Sequence, residues 1–310
     1  MIIKPMEPIR TTKIPEGENW AHEIKFDGIR GLLFYENDLF KLYTKRGKQI
    51  LHQFPEIKGF KSIFKGNKAT IDGELTVWSE NKHSFHDVLV KFKSSQQYKI
   101  KANINRLPLT YVMFDILQFN GDDLTSKPYI ERKKILKQNT TQNNTFIYSD
   151  YFVDGHVLYN KVKELGYEGI VSKEKHSTYM VGKKHSDWYK IKVKKKLLAV
   201  IGGLHIEANK IKSLLLGFYR NNIFLYIGKA SIGLSQKDLS LLKQNLSQLK
   251  SDNNPFINLS DSKNIQFTKP LLTCWVEYLE WTNSGSLRHP QIIGFSDLAA
   301  INANGVEYTL

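Results

Sequence analysis

The stretch Glu23-Ile24-Lys25-Phe26-Asp27-Gly28-Ile29-Arg30 constrains this chain more than any other. Ile24 and Phe26 alternate with Glu23, Lys25 and Asp27, so in a strand the apolar pair turns to the core and the three charged residues share the opposite face. The Asp27-Gly28 step predicts a hairpin turn, after which Ile29 to Tyr35 returns as a second apolar strand. A lysine flanked by two carboxylates results. Locally it is either a solvated charge beside a turn or a nucleophile tuned by its neighbours, and companion motifs have to decide between the two.

The chain has 310 residues, which predicts about two domains, and its 41% apolar content can fill sizeable cores. No apolar run approaches the ~20 residues of a membrane span, and the N-terminus lacks a signal peptide's apolar segment, so a soluble cytoplasmic protein without a membrane is expected. Forty-five Lys plus Arg against 30 Asp plus Glu leave a net +15. That balance is the electrostatic footprint of a nucleic-acid binder, although a generic lysine-rich surface has the same sum. Cys274 is the only cysteine, which excludes an intrachain disulfide and a cysteine zinc cluster. Its setting, Leu271-Leu-Thr-Cys-Trp-Val, predicts a buried small hydrophobe. His83 and His86 read as helix residues rather than metal ligands.

Leu39 to Thr44 reads as a strand running into Lys45-Arg46-Gly47-Lys48, where cations around a glycine suit a phosphate or an ordinary turn. Ile57, Phe60, Ile63 and Phe64 predict a helix over 54–64. Thr70 to Trp78 is a strand that places Asp72, Glu74 and Thr76 on one face, and a carboxylate there needs a cation, a sugar hydroxyl or Mg²⁺ as partner. Leu109 to Phe119 is a nearly continuous apolar strand in which Phe114 and Asp115 point to opposite faces. An aromatic at that position can stack on a base or pack in the core. Tyr129 to Leu136 reads as a basic helix and 138–144 as a surface loop. Val157, Leu158, Val162 and Leu165 form a helical stripe stopped by Gly166. Glu168 begins the next strand. Asp187 to Val193 alternates, putting Lys190 and Lys192 on one face with Trp188, as a phosphate clamp or a solvated edge. The basic run Lys194-Lys195-Lys196 marks a domain boundary, giving domains of 1–193 and 194–310. Beyond it, short strands near 197–205, 213–219, 223–227, 275–281 and 292, with one helix carrying Leu239, Leu242, Leu246 and Leu249, fit an OB-fold β-barrel.

Lys25-x-Asp27-Gly28-x-Arg30, Asp72-Gly73-Glu74-Leu75, Phe114-Asp115-Ile-Leu, Glu168-Gly169-Ile-Val-x-Lys173 and Trp188-x-Lys190-x-Lys192 stand in the order and approximate spacing of the ATP-dependent DNA ligases, which this chain resembles from about Met6 to Ile293. Tyr226-Ile-Gly-Lys229-Ala and Leu287-Arg288-His289-Pro290 resemble the ligase component of bacterial end-joining ligases; minimal phage ligases are similar too. The resemblance implies an α+β fold: an adenylation (nucleotidyltransferase) domain of antiparallel sheets with helices, then an OB-fold barrel. It implies that Lys25 takes AMP from ATP and that the AMP passes to a 5′-phosphate before a 3′-hydroxyl seals the nick. Glu23 and Ile24 then neighbour the adenine, Phe114 stacks on it, and Arg30 contacts the nucleotide or DNA end. Glu74 binds ribose or metal, Glu168 binds Mg²⁺ (or Mn²⁺), Lys190 and Lys192 hold the α-phosphate, and Asp27 orients the lysine. Nicked duplex DNA is the implied partner, met by Lys194, Lys195, Lys229 and Arg288, with a Ku-type protein or repair polymerase in an end-joining setting and a monomer as the working unit.

A free lysine is almost wholly protonated at neutral pH, so Lys190, Lys192 and a metal are expected to supply the cationic field that yields a neutral amine. Two departures from the family pattern stand out. Thr44-Lys45-Arg46-Gly47 replaces a Ser-Arg-Asn-Gly, so either Lys45 or Arg46 takes the arginine's place. The Arg-x-Asp-Lys motif expected close to Gly294-Phe-Ser-Asp297 lacks its basic residues. RNA ligases and messenger-RNA capping enzymes share the lysine motif and are the nearest rivals; a non-catalytic OB-fold DNA binder would explain the charge but not the ordered motifs. NAD-dependent ligases need a four-cysteine zinc site that one cysteine cannot build.

Overall fold

The computed structural model describes residues 3–79, 82–208, 210–231, 240, 242, 244, 246–260, 264–282 and 284–309. The chain divides into two compact units, Met1–Lys192 and Val193–Leu310.

The first unit carries strands β1 (Glu7–Arg10), β2 (Trp20–Ile24), β3 (Ile29–Glu36), β4 (Leu39–Thr44), β5 (Lys68–Ser79), β6 (Lys82–His83), β7 (Leu109–Phe119), β8 (Asp122–Asp123), β9 (Phe146–Tyr148), β10 (Gly169–Glu174) and β11 (Lys184–Lys192). Its helices are α1 (Phe85–Lys93), α2 (Gln97–Arg106), α3 (Tyr129–Asn139) and α4 (Gly155–Glu164). Two sheets form, one in the order β1-β11-β10-β2 and one in the order β4-β3-β5-β7-β8, with β6 on β5 and β9 on β7. Pairing is antiparallel except for β1 with β11 and β7 with β9.

The expected hairpin at Asp27-Gly28 does not form. β2 pairs with β10, Ile24 opposite Ile170, whereas β3 pairs with β4 and β5 in the other sheet. Lys25 to Gly28 is therefore the crossing between two sheets. Gly28 is required by close approach rather than by a turn, because a Cβ there would sit 2.2 Å from the Leu75 carbonyl oxygen. The face assignment changes as well: Glu23 is buried, and Ile24 and Phe26 line a cleft.

Leu33, Leu42, Ile71, Leu75, Met113 and Ile116 form the core on one side of the larger sheet, against Val88 of α1 and Leu136 of α3. The helix expected over 54–64 is instead of 3₁₀ type, Pro55–Ser62, after a first 3₁₀ turn at Leu51–Gln53. Its apolar residues Phe54, Ile57, Phe60 and Ile63 recur every third position, which stacks them on one edge of a three-residue turn. α4 is capped by Asp154, whose carboxylate accepts from the His156 and Val157 amides, and Gly166 follows its end at φ +70°. A smaller cluster of Met6, Leu32, Leu117, Tyr179 and Trp188 joins residues of both sheets.

The second unit carries β12 (Lys195–Glu207), β13 (Lys210–Arg220), β14 (Ile223–Ser231), β15 (Ile265–Phe267), β16 (Thr273–Tyr278), β17 (Glu280–Trp281), β18 (Leu287–Arg288), β19 (Gln291–Ser296) and β20 (Glu307–Thr309). The ladder runs β12-β13-β14-β19-β16 and returns to β12, so the sheet closes on itself. That circuit is a five-stranded OB barrel around Leu197, Ala199, Leu214, Leu216, Cys274, Val276 and Ile292. Burial pushes the Cys274 thiol up to about 12, in keeping with a packing role. Leu242 and Leu249 are buried, with a helical turn at Leu246–Leu249, while Leu239 lies outside the described residues. No helix among the described residues is long and apolar enough to cross a membrane.

Candidate active site

Lys25 follows the last residue of β2, and its amide donates to the Gly169 carbonyl at 2.9 Å, which ties it to the start of β10. Its Nζ donates to Glu168 Oε2 at 2.6 Å. The other Glu168 oxygen pairs with Lys192 Nζ, so one carboxylate serves two lysines. Burial alone would lower the proton affinity of Lys25, but Glu168, then Glu74 and Asp27, reverse it and hold the amine above the ordinary lysine range. In this arrangement the neighbouring carboxylates therefore dominate the electrostatics of the amine. Lys190 is the amine that is lowered, by burial first and then by Lys25, Lys184 and Lys192. Burial would raise Glu168; Lys25 and Lys192 outweigh it and keep the carboxylate ionised.

Glu74 stands opposite Arg30 in the β3–β5 ladder and lines the same cleft. Burial, opposed by Lys25 and Arg30 and reinforced by Glu168 and Asp27, raises its carboxyl to about 8. The Arg30 guanidinium instead pairs with Asp72 through two bonds, Nε to Oδ1 at 2.9 Å and Nη2 to Oδ2 at 2.6 Å. Tyr179 donates to the same carboxylate at 2.5 Å. Arg30 lies over the Phe114 ring at 5.3 Å and the Trp188 ring at 5.9 Å.

At the aromatic end of the cleft, Glu23 accepts from Lys133 at 2.7 Å, from Lys173 at 2.8 Å and from the Tyr129 hydroxyl. Burial would raise this carboxyl, but the two ammonium groups keep it below the usual range. Behind it the fully buried Arg132 and Asp115 form a second two-bond pair, at 2.8 Å in both contacts.

Glu23, Ile24, Lys25, Arg30, Lys45, Glu74, Phe114 and Lys190, all singled out from the sequence, line one cleft together with Glu7, Ser149, Val171, Lys173 and Trp188. Lys45 lines it and Arg46 does not. Lys192 acts on it through Glu168, and the Asp27 carbonyl accepts from the Thr76 hydroxyl at 3.1 Å. Of the cations assigned to DNA, Lys194 pairs with Glu277 at 2.6 Å and Lys195 with Glu307 at 3.1 Å, whereas Lys229 and Arg288 lie exposed on the barrel. His83 belongs to β6 rather than a helix, and its ring meets that of Phe26 edge-on at 4.8 Å. Among the described residues no three His, Cys, Asp or Glu side chains gather as a metal cluster.

Lys133, Asp72, Tyr129 and Tyr179 escaped the sequence reading as site residues. α3 does hold a signal: Tyr129, Arg132, Lys133 and Leu136 share one helical face, so an aromatic and a leucine frame two cations that must be buried with them.

An α+β unit with a lysine-and-carboxylate cleft, followed by a five-stranded OB barrel, defines the class of adenylation-domain proteins with a C-terminal OB-fold. The pattern of the ATP dependent DNA ligase domain matches residues 1–192, and that of the ATP dependent DNA ligase C terminal region matches residues 207–297. The chain belongs to the ATP-dependent DNA ligase family. It is 27% identical over 282 residues to the multifunctional non-homologous end joining protein LigD of Mycolicibacterium smegmatis, covering 89% of this chain and 36% of that protein. It is 26% identical to a DNA ligase of Thermococcus fumicolans, covering 96% of this chain and 55% of that protein. The chain thus spans only about a third to a half of the length of these relatives. Among solved structures, mycobacterial DNA ligase D complexed with ATP and MES matches at TM-score 0.54 and 25% identity, over 96% of this chain and 97% of that one. A Lig E DNA ligase shares the fold at TM-score 0.58 and 16% identity, over 95% of this chain and the whole of that one.

Proposed function

We propose that this chain seals 5′-phosphate/3′-hydroxyl nicks in duplex DNA through a lysyl-AMP intermediate made from ATP, with Lys25 as the nucleophile. The observation that carries the reading is Lys25 Nζ held 2.6 Å from Glu168 in a cleft that also presents Glu74, Lys45, Lys190 and Arg30. In this reading the adenylation domain covers 1–193 and the OB domain 194–310.

The cleft is chemically polarised. Phe114, Trp188, Ile24 and Val171 offer faces for a purine, and Lys25, Lys45 and Lys190 offer charge for phosphates. A purine stacked on Phe114 leaves the triphosphate running toward Lys25. The amine then gives up the proton it shares with Glu168 to solvent, forms the N–P bond to the α-phosphorus and expels pyrophosphate as the P–O bond breaks. Lys190 holds the α-phosphate and offsets the charge that builds on it. Lys192, freed from Glu168, does the same. Glu74, with no hydrogen bond or ion pair among the described residues, and Glu168 fit a divalent cation, because both carboxylates now depend on protons or lysines to balance their charge. Mg²⁺ held by Glu74 and Glu168 would supply that balance and so weaken the hold of these carboxylates on the Lys25 proton.

AMP then moves to the 5′-phosphate of a nick, and the 3′-hydroxyl displaces it. Lys229 and Arg288, both exposed on the barrel, are the cations placed to meet DNA; Lys194 and Lys195 would have to exchange Glu277 and Glu307 for phosphates. The likeness to end-joining proteins favours work beside a Ku-type or polymerase partner in the cytoplasm. Incubation with radiolabelled ATP or GTP and Mg²⁺, followed by peptide mapping, tests the reading. One AMP on Lys25, no GMP, and closure of a nicked duplex are expected, with duplex affinity falling steeply as salt rises. Label on another residue, or none, overturns it.

A further inference from the structure

Lys133 does not line the cleft, yet its ammonium has a use for each of its three donors. Nζ binds Glu23 Oε1 at 2.7 Å, the Phe114 carbonyl at 3.3 Å and the Ser149 carbonyl. Those acceptors belong to β2, to β7 and to the segment after β9, and all three residues line the aromatic end of the cleft. One buried point charge therefore ties together three walls of the pocket that would hold the base.

We propose that Lys133 is a positioning residue that sets nucleobase choice, by keeping Glu23 an ionised, acceptor-only group facing the base edge. This rests on the nucleotide reading of the cleft. A carboxylate offers about four acceptor sites, and Lys133, Lys173 and Tyr129 occupy three. The one left over suits an exocyclic amine and repels a carbonyl oxygen. A 6-amino purine is accepted, whereas a 6-oxo purine sets oxygen against oxygen. Without Lys133 the buried carboxyl binds a proton more readily, becomes a donor and loses the distinction.

The groups facing Glu23 are Lys133 and Tyr129 from α3, Lys173 from β10 and, behind them, the Asp115–Arg132 pair and Tyr148 of β9. Lys133 itself is lowered to about 8, by burial first, with Glu23 opposing and Lys173 adding. At pH 7 it remains mostly charged.

The test compares Lys25 labelling by ATP and by inosine triphosphate, which carries a 6-oxo group, in the wild type, Lys133→Met and Lys133→Arg. Lys133→Met is expected to lower the ATP-over-inosine-triphosphate ratio of kcat/KM by about tenfold or more, and Lys133→Arg to retain most of it. A structural role alone would slow both nucleotides equally; an unchanged ratio in a labelling-competent Lys133→Met overturns the inference. Should Lys133→Met not fold, Lys133→Gln, which keeps a donor but not the charge, decides by the same ratio: a fall supports the proposal, and an unchanged ratio overturns it. Failure of the wild type to label with ATP would instead sink the nucleotide reading itself.

Discussion

Two glutamates in the first unit are each held by two lysines, and the two arrangements behave differently. Glu168 binds Lys25 and Lys192; Glu23 binds Lys173 and Lys133. At the first, the side chains of Lys25 and Glu168 remain 22% and 13% exposed; at the second, those of Lys133 and Glu23 are 1% and 3% exposed. Lys25 has further carboxylates in Glu74 and Asp27 and is raised, whereas Asp115, the other carboxylate acting on Lys133, is already bound by Arg132, and Lys133 is lowered. Equal counts of charge thus give opposite proton affinities, because burial acts on both amines and only one has surplus anions to oppose it. The first pair is within reach of solvent, and the second is sealed in the interior.

The largest expected effect separates the two at once. Lys25→Ala should abolish covalent labelling while shifting the melting temperature little, since Glu168 keeps Lys192; label persisting on a folded variant would place the chemistry elsewhere. Lys173→Met should do the reverse in kind, costing about 3–5 kcal/mol of stability by leaving the Glu23 charge underpaired in the interior. A thermal or denaturant titration reads that loss, and a change under about 1 kcal/mol would mean that Glu23 is not the buried anchor of this end.

Glu74 sharpens the comparison through pH. Its folded value of about 8 lies above its ordinary value of 4.5, so the folded state binds the extra proton between those limits and stability falls as pH rises through that window. Glu74→Gln should flatten that slope, leaving the variant more stable than wild type near pH 8 by about 1 kcal/mol. Equal slopes would count against the buried carboxyl. The smallest effect belongs to the most exposed pair: Lys45→Ala removes a 3.2 Å contact with Glu7 and should cost under about 0.5 kcal/mol of stability while raising the KM for ATP. No change in KM would remove Lys45 from the nucleotide path.

Strands at 70–78, 109–119 and 187–193 were legible because apolar alternation or continuity is written into consecutive residues. The spacing of Ile57, Phe60, Ile63 and Phe64 was legible as helical, but the three-residue period over 54, 57, 60 and 63 belongs to a 3₁₀ turn, and Gly59 in the interior disfavours an α-helix there. Asp27-Gly28 misled because a hairpin signal and a sheet-to-sheet crossing use the same small residues; the deciding contact, Gly28 against the Leu75 carbonyl, lies 47 positions away. Lys133 was legible only as part of a basic helix over 129–136, since nothing local says that Glu23 and two carbonyls wait for it.

By itself the sequence determined which chemistry-bearing residues exist and in what order, because motifs and strand periods are short-range properties. It marked Lys25, Glu74, Phe114, Glu168, Lys190 and Lys192 as candidates. Only the tertiary structure decided which of them meet, that β2 pairs with β10 rather than β3, and that Glu23 faces inward with two lysines. The physical reason is that pairing and charge compensation are settled by whichever partners close packing brings within about 3 Å, and those partners stand 106 to 150 residues apart along the chain.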